Sequence, residues 1–96
     1  MNYRFHPEAL GEFQAATIYY EKQQRGLGER YISSVQTAID HIIDAPLLGR
    51  ILEEPVRRYL TKVFPHAVLY TVEDDYILIV AVMHCHREPG YWLHRV

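Results

Sequence analysis

Functional groups are densest near the end of the chain, in His84-Cys85-His86-Arg87-Glu88-Pro89-Gly90-Tyr91-Trp92-Leu93-His94-Arg95. Period-two alternation along an extended segment puts His84 and His86 on one face with Val82 and Val80, and Cys85 and Arg87 on the other with Met83. Upstream, Arg57, Arg58 and Lys62 lie on a second strand-like run, with Arg58 and Lys62 sharing a face with Leu60. If the two runs are neighbours, they form a positive pocket that also holds two imidazoles, Tyr91 and Trp92. Such a set can grip a phosphate through guanidinium forks, stack a base on an aromatic ring and move a proton on an imidazole of reference pKa about 6.5. Metal-free RNA cleavage needs no more.

The same residues have plainer uses. A His-x-His pair at a strand end is commonly a polar terminus, and without a third ligand at fixed spacing no metal is expected. Arg57 and Arg58 can pair with Glu53 and Glu54 across a short loop, where a surface ion pair contributes roughly 0 to 1 kcal/mol. Tyr91 and Trp92 can close the open end of a core. His6, His41, His66 and His94 are too scattered to count as a site, and Cys85 has no assignable base to make it a nucleophile. With no Gly-rich phosphate loop, Cys pair or Gly-x-Ser-x-Gly, no cofactor is expected.

These groups must be held by elements that the periodicity predicts. Asn2-Tyr3-Arg4-Phe5 alternates as a short strand, and Pro7 then suits a first helical turn. Ala9, Phe13, Ala16 and Tyr20 recur at helical spacing over residues 7–24, leaving Glu8, Glu12, Glu21 and Lys22 mostly toward water. Gly26-Leu27-Gly28 marks a reversal, after which Tyr31, Val35, Ala38 and Ile42 stripe a second helix over residues 29–45, widened by Ile32, Ile39 and Ile43. Residues 46–55 read as a loop, and residues 56–63, 67–73 and 76–86 as three strands of an antiparallel meander. The last is apolar on both faces and is expected at the centre of the sheet. Two helical stripes and one sheet face can bury one another only as a two-layer α+β sandwich, a single domain over residues 1–96.

Composition narrows the function. Ten Lys and Arg against twelve Asp and Glu leave a net charge of -2, so the basic surplus of a nonspecific nucleic-acid binder is missing. The single cysteine cannot staple the fold. Arg4, Pro7 and Glu8 interrupt what a secretory leader would need, and the longest apolar run is the eight residues Tyr76–Met83, so a cytoplasmic protein without membrane contact is expected.

In this order, Phe5-His6-Pro7-Glu8-Ala9, Tyr19-Tyr20-Glu21, Gly26-Leu27-Gly28, Val56-Arg57-Arg58, Phe64-Pro65, Val68-Leu69-Tyr70, Ala81-Val82-Met83-His84-Cys85-His86-Arg87, Pro89-Gly90-Tyr91-Trp92 and Arg95 resemble the RelE/ParE superfamily of toxins from type II toxin-antitoxin pairs, in its plasmid-stabilisation branch. The resemblance implies a β-α-α-β-β-β fold, an antiparallel sheet packed on a helical hairpin. It also implies a cognate antitoxin that wraps the hairpin and the sheet, with promoter DNA contacted only through that antitoxin.

Two targets go with this scaffold, and the resemblance implies one or the other. RelE-like members are mRNA interferases that cut on the ribosome; ParE-like members inhibit DNA gyrase without being enzymes. For a nuclease, the matching positions are Arg58 and Arg87 on the phosphate, His86 for proton transfer and Tyr91 as a stacking ring. Arg57, Lys62, His84, Trp92 and Arg95 would then contact RNA, or the target protein in the gyrase case. His66-Ala67 stands where many of the nucleases carry an arginine, and the chain is acidic where they are basic. These departures and the Gly-Leu-Gly hairpin favour the gyrase inhibitor.

Overall fold

The computed structural model describes all 96 residues. In chain order the elements are β1 (Asn2–Phe5), α1 (Pro7–Gln23), α2 (Leu27–Asp44), β2 (Arg50–Glu53), β3 (Val56–Leu60), β4 (His66–Val72) and β5 (Tyr76–His84), followed by a short 3-10 turn at Leu93–Arg95. The strands form one sheet in the order β1-β5-β4-β3-β2, and the helical hairpin packs on one face of it.

Local chemistry starts and stops the helices. Pro7 opens α1, and the His6 Nδ1 accepts the Glu8 amide at 3.1 Å, satisfying one of the orphan donors of the first turn. The chain reverses through Gly26 at φ 86°, a left-handed conformation that a side chain disfavours. Glu21 is exposed, as expected, yet its carboxylate accepts the amides of Gly26 and Gly28 at 3.0–3.1 Å and so caps α2 from the neighbouring helix. A Cβ on Gly28 would stand 3.0 Å from that carboxylate and from the Thr17 carbonyl, which is why the helices approach so closely here.

The stripes read from the sequence are buried. Ala9, Tyr31, Val35, Ala38, Ile39 and Ile42 join Val68, Tyr70, Ile77, Ile79 and Val82 in the main core, with Phe13, Ala16 and Tyr20 packed against it. Ile32 stays 42% exposed and Tyr19 58% exposed, so neither widens the core.

The sheet departs from the expected one in four places. Residues Arg50–Glu53 are a strand, β2, within the segment read as loop; all four are exposed, so no hydrophobic alternation announces it. The opening strand β1 runs parallel to β5, making the sheet mixed rather than wholly antiparallel. The middle position belongs to β4, with β5 one place over. Between the pairs Leu69↔Ala81 and Tyr70↔Ile79, β5 carries one extra residue, a bulge at Val80. Val80 and Ala81 therefore both face away from the helices, and the grouping of Val80 with His84 fails while Val82 stays with it.

On that outer face a second, smaller core of Val56, Ala67, Leu69, Val80, Ala81 and Trp92 forms under the C-terminal segment. Burying one large aromatic of about 150–250 Å² contributes roughly 4–6 kcal/mol at about 25 cal/mol per Å². Ordering the ten residues 87–96 costs about 1–2 kcal/mol each. Trp92 alone cannot hold the tail, and further anchors are required.

Candidate functional site

The anchors converge on Glu12, in the second turn of α1. Its Oε1 accepts the Val82 amide and Arg95 Nη1, each at 3.0 Å; its Oε2 accepts the Tyr91 hydroxyl at 2.6 Å and Arg95 Nη2 at 3.0 Å. Arg95 Nη1 also donates to the Val80 carbonyl at 3.1 Å. The reason lies in the sheet: β1 pairs with β5 only as far as Ile79, so the edge of β5 beyond it has backbone groups without a strand partner. Glu12 and Arg95 fill that gap. The expectation that Glu12 lies toward water was wrong, because a carboxylate on a helix reads as surface until its partner, 83 residues away, is known.

Electrostatics follow from this packing. Burial works against the Arg95 charge, yet the hydrogen bonds and charge of Glu12 prevail and hold its pKa above the ordinary value. Burial, then the hydrogen bond to Glu12, pushes the Tyr91 phenol well up. Glu8 at the helix start takes His94 Nε2 at 2.7 Å, which lowers the Glu8 carboxyl. Arg95 Nε lies 3.2 Å from Glu8 without the alignment of a hydrogen bond.

A second cluster joins the hairpin to the other end of β5. His66 and His84 are register partners on the helix-facing side, with ring centroids 5.2 Å apart. His66 is buried between two phenols, Tyr20 at 3.0 Å from Nε2 and Tyr31 at 3.3 Å from Nδ1, so one ring nitrogen donates and the other accepts. Burial, then the neighbouring His84, lowers its pKa to about 4. His84 Nδ1 accepts the His86 amide at 3.0 Å, and the two rings lie edge to face at 5.2 Å. The alternation of His66 with Val68, Tyr70 and Val72 was the signal that this histidine is a packed one.

The residues singled out from the sequence do not form one pocket. β4 lies between β3 and β5, so the two runs are not neighbours. Arg58 stands in the cross-sheet row Arg58–Leu69–Ala81, about 14 Å from His84 by strand spacing and rise. Arg87 follows in the turn beyond, with its guanidinium 3.8 Å above the Tyr91 ring. Arg57 points to the opposite face and donates to the Leu47 and Gly49 carbonyls at 2.9 Å, so the ion pairs of Arg57 and Arg58 with Glu53 and Glu54 do not form. Lys62 lies past the end of β3 and lines a groove against α2 instead of sharing the face of Arg58.

Trp92 is 4% exposed and cannot stack on a base without leaving the outer core. Tyr91 is half-buried, with its hydroxyl committed to Glu12 and one ring face under Arg87. The Arg95 side chain is 6% exposed, and its charge is spent on Glu12. In the turn after β5, His86, Arg87 and Cys85 are exposed and open to a partner. No three His, Cys, Asp or Glu side chains converge as a metal site, and no helix is long and apolar enough to cross a membrane.

Two grooves flank the hairpin. One, of about 490 Å³, runs between α2 and the β3–β4 turn; Arg30, His41 and Lys62 line it beside exposed Leu60 and Val63. Val63 sits at φ 74°, unusual for a β-branched residue. The other, of about 570 Å³, lies over Phe13 between exposed Leu10, Ile18 and Ile32.

This mixed sheet with its hairpin matches a solved structure described as the chromosomal ParDE toxin-antitoxin system from P. aeruginosa. The TM-score is 0.63 at 19% identity, covering 88% of this chain and 95% of that one, which shows the shared fold. The family model for the ParE toxin of the type II toxin-antitoxin system, parDE, matches residues 3–89. The chain belongs to the ParE toxin family. No curated protein matches it significantly in sequence. The ParE match includes His84, His86 and Arg87 but stops before Tyr91, Trp92 and Arg95, so the latch onto Glu12 is built partly from residues outside it.

Proposed function

We propose that this ParE-family toxin arrests growth by binding DNA gyrase, and that a cognate antitoxin neutralises it. The observation supporting a binding role over RNA cleavage is the engagement of the groups that cleavage would use. One face of the Tyr91 ring is covered by the Arg87 guanidinium, Trp92 is buried in the outer core, and Arg58 sits on β3 with β4 between it and β5, the strand that leads to Arg87. General acid-base catalysis on a phosphate needs its groups within hydrogen-bond reach of one reacting centre. A net charge of -2 also suits a protein target better than ribosomal RNA.

Neutralisation fits the two grooves beside the hairpin, whose exposed Leu10, Ile18, Ile32, Leu60 and Val63 offer apolar seats to a segment that folds on binding. In this reading the pair contacts promoter DNA through the antitoxin alone.

A second reading, a ribosome-dependent mRNA endonuclease, is favoured by one observation: His86 and Arg87 are exposed side by side at the strand exit. Expression of the chain with His86→Ala and with Arg87→Ala separates the two. Growth arrest that persists in folded variants takes from the cleavage reading the residues it needs; arrest and transcript cutting on the ribosome that vanish together, with the fold intact, assign these residues to cleavage.

A further inference from the structure

Strand β2 ends the sheet: β3 covers one of its edges, and the other pairs with nothing. Ile51 and Leu52 are 44% and 39% exposed, and the adjoining Leu47 and Leu48 are 67% and 83% exposed. An open edge that carries apolar side chains is a template for another strand.

The charges on this strand specify which one. Arg50 is in register with Arg58, and Glu53 with Val56; Arg58 and Val56 are two residues apart on β3 and share a face. The irregularity between Ile51 and Glu53 thus brings Arg50 and Glu53 onto the same face, although they are three residues apart. Arg50 stands directly across from another guanidinium, an unfavourable arrangement, and neither Arg50, Arg58 nor Glu53 has an ion-pair partner within the chain.

We propose that this edge is the interface of a homodimer, in which two chains pair β2 to β2, antiparallel, about a two-fold axis between Ile51 and Leu52. Arg50 of each copy then stands opposite Glu53 of the other on one shared face, with Ile51 beside Leu52 in the middle. The contact is isologous, and it supplies the carboxylate that Arg50 and Arg58 lack. The two five-stranded sheets become continuous, with both hairpins on the same side. The proposal stands apart from the toxin's target.

Sedimentation velocity over a concentration series tests it on the full chain. The mass should rise from 11.3 kDa toward twice that value. Arg50→Glu alone, or Glu53→Arg alone, turns both symmetric pairs into like-charge contacts and should weaken association about tenfold or more. Mixed in equal amounts, the two variants regain complementary edges and should associate as the parent does. Amide exchange at Ile51 and Leu52, slowing with concentration, reads the same contact on the unsubstituted chain. A mass fixed at 11.3 kDa with concentration-independent exchange overturns the proposal. So does a dimer indifferent to both charge reversals, which would place the contact elsewhere, such as on the hairpin grooves.

Discussion

Arg95 and Glu12 meet as a two-point ion pair, both contacts at 3.0 Å, with their side chains 6% and 17% exposed. The pair ties the last residues of the chain to the first helix. Removing one partner leaves a largely buried charge uncompensated, which costs about 3–5 kcal/mol. Arg95→Ala should therefore lower the unfolding free energy by about 3 kcal/mol in urea titrations. Glu12→Ala should cost at least as much, because the Val82 amide and the Tyr91 hydroxyl lose their acceptor as well.

Trp92 gives a second test of the tail's role. Its ring closes the outer core over Val80, Ala81 and Leu69, and truncation of such an aromatic costs about 3–5 kcal/mol. Trp92→Ala should lower the unfolding free energy by that amount in urea titrations. Whatever toxicity it loses should return at a temperature where the variant is fully folded; toxicity that stays lost in the folded variant would make the ring a contact residue.

His66 sets an acid limit. The folded protein keeps it neutral, with its pKa lowered to about 4 by burial and then by His84, against about 6.5 in the unfolded chain. Between these values the unfolded state binds a proton that the folded state refuses, so its stabilising effect is complete above about pH 6.5 and is lost as pH falls toward 4. The span is worth about 3 kcal/mol. His66→Gln, which keeps a donor and an acceptor between Tyr20 and Tyr31, should flatten the stability profile between pH 6.5 and 4. An unchanged slope would remove His66 from the account.

Glu21 caps α2 from α1 through the amides of Gly26 and Gly28. Loss of such a cap costs about 0.5–2 kcal/mol. Glu21→Ala should fall in that range by chemical denaturation, and amide exchange should accelerate first at the start of α2.

What the sequence disclosed, and what it withheld, divides along physical lines. The helices were legible because Ala9, Phe13, Ala16 and Tyr20, and then Tyr31, Val35, Ala38 and Ile42, repeat at the helical period and one side of each stripe is buried. Strand β2 was not, since a fully exposed edge strand has no buried face to impose alternation. The bulge at Val80 is invisible because both faces of β5 are apolar, so a one-residue slip changes nothing in the pattern. The single pocket assumed that residues 56–63 and 76–86 form neighbouring strands, and β4 lies between them. Arg58, His86, Arg87 and Tyr91 were each plausible, but their proximity depended on a strand order that local periodicity does not carry. Glu12 was placed toward water for a related reason, as its partners come from distant segments, whereas the alternation of His66 with Val68, Tyr70 and Val72 did carry a signal of burial.

The account rests on target binding instead of RNA cleavage, and one paired assay bears on it most directly. Purified chain is added to a gyrase supercoiling reaction and, in parallel, to ribosomes translating a defined mRNA. The account predicts that supercoiling stops while the transcript stays whole. Supercoiling left untouched while the transcript is cut on the ribosome would contradict it.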